Sequence, residues 1–574
     1  MTRRRRRTLL AVSLALAGLV AGHAACRAAT AFEVAVGLGG HVVPGRLAPI
    51  RLTFTGLPGD AARLRVLQDV GNAWSGETTM SFEVPLILSD AGDCEEVLPF
   101  YDVALPLRIE LLSADGRVLA RKEAELRSKK EDEPFPVGVG AFSTPLADRS
   151  VLLSPAELPR DWAAYAAAES VWIGRTRNGL DADRWDALAR WVLSGGTLVI
   201  FTGGDFFLLD APRLRDLLPI ANPILTERED GMRALTGDLR GDAAVLLSKD
   251  GVPWLIVRRY GGGSVLFVST DAFSLDREEL AELRGHVPPT RALSLLEATS
   301  DLLDRQPIDH PDAWAAAFLV GLAVSALLSL VARREWRPSV GLSLLGVFGF
   351  LALSSWLYTN PPRVVSDMYQ TDTRLSVYSS LGISVSCSAL FSSSRQPAGA
   401  EVRLDSAPFE LLPRGFESGS YGLSYNEGTA RIELALGERR LLAAHGTAPA
   451  SLQARLTGDE EARLTSRLSR RIPDALLLID GEAFLLPALE PREEATVYLG
   501  NPLPSGMVHL GVEGGPLELL LAAVANTLPL DRGAWLVAGE VTEMWRAGGG
   551  ARTKVRDVSL YVVEVGRDEI VRSD

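Results

Sequence analysis

Two uncharged, apolar stretches in the second half of the chain limit most strongly what it can fold into. The first covers residues 313–332 and the second residues 338–359. Each is long enough to cross a hydrocarbon core of about 30 Å at about 1.5 Å per helical residue. The sequence therefore predicts a hairpin of two transmembrane helices, with the lipid bilayer as a partner.

The loop between the two stretches predicts their orientation. It contains Arg333, Arg334 and Arg337 within a few residues. Short loops rich in arginine stay on the cytoplasmic side of a membrane. We therefore expect the large regions before and after the hairpin to lie outside the cytoplasmic membrane. Because the stretches carry no charge, they lack the usual sign of an ion path, and an anchor or an interface to membrane-protein partners is expected instead.

The N-terminus independently indicates export. Arginines at residues 3–7 precede an apolar run at residues 9–20, and small residues follow up to Ala31. This order is typical of a signal peptide. Residues 1–31 are therefore interpreted as a signal peptide or an N-terminal anchor that delivers Phe32 to the periplasm.

Composition excludes some classes of function. The net charge is −13, which argues against a nucleic-acid-binding protein, because such a protein needs a basic face. Cys94 and Cys387 are expected to be buried free thiols, although the sequence does not decide whether they form a disulfide. With no CxxC motif or Cys/His cluster, neither a structural zinc site nor a cofactor is predicted.

Residue patterns divide the 574-residue chain into several regions. Alternation of apolar and polar residues predicts a β-sandwich at residues 32–128, followed by a charged linker at 129–136. Alternating strand and helix patterns predict an α/β domain at 137–304. The region 363–574 is expected to be rich in β-strands. The fold class is thus multidomain, α/β plus all-β.

Local signals predict individual elements of the α/β domain. A helix is expected at residues 161–168, and a second helix capped by Asp181 should end at Gly195 and Gly196. A strand follows at 197–201 and a helix at 277–284. Further predictions are β-hairpin turns at 261–263 and 480–481, and one helix at 458–468 in the C-terminal region.

Four short motifs carry a resemblance to a known group. They are Leu180-Asp181, Trp191-Val192, Gly195-Gly196 and Tyr260-Gly261-Gly262-Gly263. The sequence around them resembles bacterial membrane-anchored proteins with a class I glutamine-amidotransferase-like domain. The resemblance implies a flavodoxin-like, amidotransferase-like α/β domain between a β-sandwich and a membrane hairpin. A similar strand-helix-strand run occurs in auxiliary subunits of some bacterial ABC transport systems.

The resemblance does not extend to catalysis. Active members of the class use a cysteine on a tight turn, with a histidine and a glutamate nearby. Between residues 135 and 304 this chain has no cysteine, and His286 is its only histidine. We therefore expect a protein that binds or scaffolds rather than an amidotransferase.

One candidate ligand site follows from the predicted sheet. Gly203, Gly204 and Asp205 come after one predicted strand, and Asp271 comes after another. Ligands of doubly wound sheets bind beyond the carboxyl ends of the strands, and two carboxylates there are suited to Mg²⁺ or Ca²⁺. The alternative is that both aspartates cap turns or helices.

Three functions remain open from the sequence. The first is a non-enzymatic scaffold or binding subunit of a membrane complex in the cell envelope. The second is a hydrolase of envelope glycan or peptide that uses Asp205 and Asp271. The third is an accessory subunit of an ABC-type transport system.

Overall fold

A computed structural model describes much of the chain outside the N-terminus and the predicted hairpin. The described residues are 32–55, 61–72, 76–88, 92–127, 133–142, 150–176, 179–202, 211–227, 231, 233–289, 368–379, 381–392, 398–403, 409–411, 420–426, 429–434, 439–449, 451–457, 461–503, 515–525, 528, 530–548 and 551–567. The predicted signal segment 1–31 and the predicted spans 313–332 and 338–359 lie outside them. No helix within the described part of the chain has the length and hydropathy needed to cross a membrane.

The N-terminal region forms two packed layers of strands. Its strands are β1 (Phe32–Val36), β2 (Arg46–Phe54), β3 (Ala61–Asn72), β4 (Gly76–Pro85), β5 (Asp93–Phe100), β6 (Leu107–Ser113) and β7 (Val118–Ala124). The first layer is an antiparallel sheet in the order β1-β2-β5, and β3, β4, β6 and β7 belong to a second sheet. Ile50 and Leu52 from the first sheet share one apolar core with Leu64 and Val66 from the second.

The next region alternates strands with helices. Its strands are β8 (Phe135–Val139), β9 (Val151–Leu153), β10 (Ala168–Ile173), β11 (Thr197–Phe201), β12 (Ile220–Glu227), β13 (Arg233–Leu239), β14 (Ala243–Lys249), β15 (Val252–Tyr260) and β16 (Gly263–Val268). Its α-helices are α1 (Ala182–Leu193), α2 (Pro212–Leu217) and α3 (Arg277–Gly285), and its 3₁₀ helices are Pro155–Glu157, Trp162–Ala167 and Ala272–Ser274.

Seven of these strands form one sheet in the order β14-β15-β16-β11-β10-β8-β9, and β12 and β13 form a separate two-stranded sheet. Strands β9, β8, β10, β11 and β16 run parallel to one another. Strand β15 is antiparallel to β16, and β14 is antiparallel to β15. Leu198 and Ile200 point to one face, in the same core as α1, and Val199 and Phe201 point to the other, in the core that includes α3. Apolar side chains on both faces explain why the strands read as continuous apolar runs.

Glycines bring helix α1 and the β15–β16 hairpin into direct contact. Asp181 caps α1 by accepting a hydrogen bond from the backbone nitrogen of Arg184, as the sequence predicts. A Cβ at Gly263 would overlap the carbonyl oxygens of Gly196 and Val192, so only glycine fits there. The glycine motifs that carried the family resemblance are therefore packing residues of this contact, and the predicted hairpin turn at 261–263 is confirmed.

Two arginines join the N-terminal region to the α/β region. Arg51 on β2 and Arg184 on α1 both donate hydrogen bonds to the carbonyl oxygen of Ala156, at 2.9 and 2.7 Å. They also share the carbonyl oxygen of Leu158, at 3.2 and 2.9 Å. The guanidinium fork suits this shared recognition, because its several donors are held in one plane. The loop at residues 156–158 is thus held by the N-terminal region through Arg51 and by helix α1 through Arg184.

The C-terminal region contains most of the remaining strands. They are β17 (Met368–Tyr378), β18 (Gly382–Ser392), β19 (Ala398–Arg403), β20 (Phe409–Leu411), β21 (Ser420–Asn426), β22 (Thr429–Leu434), β23 (Arg439–Thr447), β24 (Leu452–Leu456), β25 (Glu461–Ser466), β26 (Asp474–Ile479), β27 (Glu482–Leu486), β28 (Glu494–Tyr498), β29 (Ala534–Gly548), β30 (Ala551–Glu564) and β31 (Gly566–Arg567), with helix α4 at Pro516–Ala525. Twelve of them build an eight-stranded sheet in the order β20-β23-β18-β17-β30-β29-β26-β27 and a four-stranded sheet in the order β28-β25-β24-β31.

Strands from the two ends of the chain share the second N-terminal sheet. Its order is β19-β22-β21-β4-β3-β6-β7, so three C-terminal strands extend four N-terminal ones. The junction is parallel, with Ser420 opposite Thr79 and Ser424 opposite Glu83. The sequence division into independent β regions at 32–128 and 363–574 therefore does not describe how this sheet is built.

Three local predictions differ from the structure, and one helix was missed. Phe135 and Pro136 begin strand β8 rather than end a linker. The expected helix at 161–168 is a 3₁₀ helix, buried along its whole length. The expected helix at 458–468 is wrong, because β25 occupies residues 461–466 and buries every second side chain against β24. Helix α4 was not predicted.

Candidate functional site

Asp271 has a structural role in the described geometry. It lies just beyond β16 and caps the 3₁₀ helix Ala272–Ser274, with its Oδ1 accepting a hydrogen bond from the backbone nitrogen of Phe273 at 3.0 Å. This matches the capping alternative from the sequence. Gly203, Gly204 and Asp205 lie outside the described residues, so their pairing with Asp271 stays a prediction. The neighbouring parallel strands β11 and β16 do end together, with Phe201 opposite Val268.

The crevice between β8 and β10 is closed by the chain itself. In a doubly wound sheet, ligands bind where the strand order reverses, which in this sheet lies between these two strands. Here the backbone nitrogen of Ala141 donates to the carbonyl oxygen of Arg175 at 3.0 Å, and that of Gly174 to Val139 at 2.9 Å. Gly140 has a φ of +93° and leaves no room for a side chain beside Arg175. The usual ligand position is therefore taken by backbone.

Phe142 covers this closed crevice. A Cβ at either Gly138 or Gly174 would meet its ring, and the ring makes an edge contact with Phe201 at a centroid distance of 6.2 Å. Trp172 stacks on the same Phe201 at 5.9 Å. The aromatic residues here pack on the sheet, and Trp172, Trp185 and Trp191 are all fully buried. The aromatic side chains at this end of the sheet therefore belong to the apolar core.

Ionisable groups with shifted pKa values instead meet on the eight-stranded sheet. Asp372 on β17 lies opposite Asp557 on the parallel neighbour β30, so both side chains point to the same face. The Nε2 of Gln370, which is itself buried, donates to both carboxylate oxygens of Asp372 at 2.8 Å. A pair of carboxylates is thus fixed by backbone register in the middle of a sheet.

The pKa of Asp372 lies near neutral pH. Burial, and then the charge of Asp557, raise this pKa to about 7, although the hydrogen bonds from Gln370 oppose the rise. The charge of a neighbouring carboxylate disfavours ionisation, so Asp557 favours the protonated form of Asp372. Chemically, such a carboxyl group can donate a proton near pH 7 or respond to a change in pH around that value.

Glu540 on β29 adds a third carboxylate to this face. Its side chain is buried, and its Oε1 lies 2.5 Å from the Nε of Arg470. Burial raises the pKa of Glu540 and the charge of Asp557 adds to the rise, while Arg470 opposes it. We call Asp372, Asp557, Glu540 and Arg470 the carboxylate cluster.

The sequence analysis missed the carboxylate cluster. Its members are separated by long stretches of chain and meet only because β17, β30 and β29 are neighbours. One signal was present within β17, where Gln370, Asp372 and Arg374 occupy alternate positions of a strand whose other face is buried. A polar face on a long strand of this kind indicates a buried polar network, but it does not name the partners.

A second cluster lies where the three regions meet. Asp161, which caps the 3₁₀ helix Trp162–Ala167, has its Oδ2 3.1 Å from Nε2 of His445 on β23. Trp162 makes an edge contact with the His445 ring at 5.7 Å and donates from Nε1 to the carbonyl oxygen of Gly446 at 3.2 Å. We call Asp161, Trp162, His445 and the nearby Glu96 the junction cluster.

Charges in the junction cluster shift two pKa values in opposite directions. Burial, and then the charge of Asp161, raise the pKa of Glu96 to about 7. Burial also tends to raise the pKa of Asp161, but the charge and hydrogen bond of His445 outweigh it, so the net change is downward. The cluster joins the α/β region to the C-terminal region.

Cys94 and Cys387 are buried and form no disulfide, as predicted. No group of three or more His, Cys, Asp or Glu side chains in the described ranges has an arrangement that would hold a metal ion.

In comparisons with known proteins, no family model matches the sequence and no curated protein matches it. Functional inference therefore depends on the geometry of this chain.

Proposed function

We propose that this protein is a non-enzymatic, membrane-anchored scaffold or binding subunit of a membrane complex in the cell envelope. In this proposal, residues 313–332 and 338–359 cross the cytoplasmic membrane as a hairpin. Both large regions lie on its outer side, and the α/β region is a flavodoxin-like, amidotransferase-like unit without catalytic function.

One observation carries the proposed topology. Strands β4 and β21, which lie on opposite sides of the segment 290–367, are hydrogen-bonded neighbours in one sheet. A sheet cannot continue through a bilayer, because its backbone groups must be paired within one folded body. Chain that leaves this body at residue 289 must therefore return to the same side. This requires an even number of crossings, which agrees with a two-helix hairpin.

The closed crevice supports a role without catalysis for the α/β region. Its parallel strands follow the order β9-β8-β10-β11-β16, which is the flavodoxin-like order 2-1-3-4-5. The backbone contacts of Ala141 and Gly174, with the ring of Phe142 above them, occupy the position where such sheets bind ligands. The region also lacks a cysteine nucleophile.

Cysteine labelling tests the topology in intact cells. Trp336→Cys places a thiol in the arginine-rich loop, and Leu485→Cys places one at a position that is 67% exposed on the folded body. We expect a membrane-impermeant maleimide to label Leu485→Cys in cells with a permeabilised outer envelope, and to label Trp336→Cys only after lysis. The native Cys94 and Cys387 are buried and give a low background.

The same experiment can overturn the proposal. Labelling of Trp336→Cys from outside, or protection of Leu485→Cys until lysis, would reverse or remove the proposed topology. Crosslinking in membranes then tests the scaffold role, which predicts at least one reproducible membrane-protein partner. Recovery of an ATPase as that partner would instead identify a transporter accessory subunit.

A further inference from the structure

A groove on the four-stranded sheet has the properties of a small ligand site. It lies where β25 ends and β28 begins, and its volume is about 390 Å³. The backbone nitrogen of Ser466 donates to the carbonyl oxygen of Glu493 at 2.8 Å, which holds the two walls together. The residues that line it are Thr465, Ser466, Arg467, Arg492, Glu493 and Glu494.

The charges in the groove are not balanced within it. Glu494 is neutralised from outside the groove, because its Oε1 lies 2.5 Å from Nε of Arg463. Glu493 accepts a hydrogen bond from the backbone nitrogen of Glu490 at 3.3 Å. Arg467 and Arg492 are exposed, and neither has an ion-pair partner among the described residues. Together with the Glu493 carboxylate, these two guanidinium groups give the groove a formal net charge of +1, which favours an anionic ligand.

The backbone at Arg492 is unusual. Its φ is +57°, in the left-handed region that side chains other than glycine and asparagine seldom adopt. Such a conformation costs on the order of 1 kcal/mol for a residue with a Cβ. A turn that only needed this shape would be better served by glycine. The arginine in this position projects a cation at the mouth of the groove.

Ser466, at the base of the groove, has an unpaired hydroxyl group. Ser466 is 5% exposed, and its Oγ has no hydrogen-bond partner among the described atoms. Ser466 also lines a smaller inner void of about 10 Å³, together with Leu452, Leu464 and Leu489. That void has room for about one water molecule. A buried hydroxyl is costly without a partner, so a water or a ligand atom at the floor would satisfy it.

We propose that this groove binds an anionic ligand through a carboxylate or phosphate group. Arg467 and Arg492 hold the oxyanion, since the guanidinium group pairs with both kinds of oxyanion through two parallel hydrogen bonds. Ser466 contacts the ligand or its bound water from below. The inference goes beyond the scaffold function and does not depend on it, because the groove lies within the folded body.

Titration calorimetry on the full-length protein in detergent tests the site. The probes are triglutamate peptide and inorganic phosphate, with triglutamine as the uncharged peptide. The double variant Arg467→Gln/Arg492→Gly removes both cations, and glycine at 492 suits the backbone conformation there, so folding should be kept. The matched control is Arg455→Gln, which removes an exposed arginine from β24 of the same sheet, outside the groove.

We expect saturable binding of at least one charged probe, a rise in Kd of about tenfold or more in the double variant, and no such change in the control. Binding of triglutamate alone would assign the site to acidic peptides, and binding of phosphate alone to phosphorylated ligands. Absence of saturable binding of both charged probes to the wild type, binding of triglutamine with equal affinity, or an unchanged Kd in the double variant would each overturn the proposal.

Discussion

The parallel sheet of the α/β region and the eight-stranded C-terminal sheet differ in what they bury. The first buries apolar side chains on both faces, and its polar residues, such as Asp181 and Asp271, cap helices at its ends. The second holds the half-buried Asp372 and the buried Glu540 in the middle of its strands. The parallel sheet thus has Asp181 and Asp271 at its ends, whereas the eight-stranded sheet has carboxyl groups with raised pKa values within it. The ligand position predicted from the sequence and the paired carboxyl groups therefore lie in different sheets.

The largest expected effect concerns packing in the α/β region. Gly263→Ala places a methyl group against the carbonyl oxygens of Gly196 and Val192, which cannot move without breaking α1 or β11. We expect a loss of about 3 kcal/mol or more in the free energy of unfolding, because the clash is with backbone. Urea denaturation of the full-length protein in detergent measures it.

Gly241→Ala is the matched control, since nothing lies within 4 Å of a Cβ at that position and its φ is not positive. It should change stability by less than about 1 kcal/mol. Equal effects of the two substitutions would mean that the glycine motif does not act through close packing.

A smaller and pH-dependent effect is expected in the carboxylate cluster. The pKa of Asp372 is about 7 in the folded chain against an ordinary value of 3.8. A raised carboxyl pKa means that the folded state binds the proton more tightly. Its contribution to stability is therefore full below about pH 4 and is lost as pH rises through about 7. Glu96 acts in the same direction, with a pKa of about 7.

Asp372→Asn imitates the protonated carboxyl group. We expect the variant to match the wild type only below about pH 4, and its advantage in the free energy of unfolding to grow by about 1–3 kcal/mol between pH 5 and pH 8. Denaturation at both pH values measures this, and Asp531→Asn, at a position with a side chain 75% exposed, is the control. A variant less stable than the wild type at pH 8 would contradict the raised pKa of Asp372.

The smallest effect is expected where the two regions meet. In a double-mutant cycle with Asp161→Asn and His445→Gln, the coupling energy should be about 0.5–1 kcal/mol, because the Asp161 side chain is 42% exposed and solvent screens the pair. Asparagine keeps the capping hydrogen bond to Ala163, so the cycle reports the charge alone. Thermal unfolding at pH 6 measures it.

A coupling energy of zero would show that the Asp161–His445 contact does not help to join the regions. The contact of Trp162 would then be the better explanation, and Trp162→Phe, which removes the hydrogen bond to Gly446 and part of the buried ring, would cost about 1 kcal/mol or more.

Much of the α/β region could be predicted from local sequence. The cap at Asp181, the stop at Gly195 and the apolar run at 197–201 are each decided within a few residues, and the structure confirms them. The turn at Asp480 and Gly481 is confirmed for the same reason, since both residues adopt positive φ between β26 and β27. The helix expected at 458–468 failed because pairing with β24 outweighed a local helical pattern.

The sequence by itself determined the alternation of elements, the turns, and the apolar stretches that predict a membrane hairpin, because these depend on neighbouring residues. Only the tertiary structure decided that β21 would complete the sheet of β4, that Asp372 would meet Asp557, and that Asp161 would meet His445. Those contacts join residues far apart in the chain. Their partners depend on which strands become neighbours in a sheet, and for strands that are far apart in the chain no short stretch of sequence decides this.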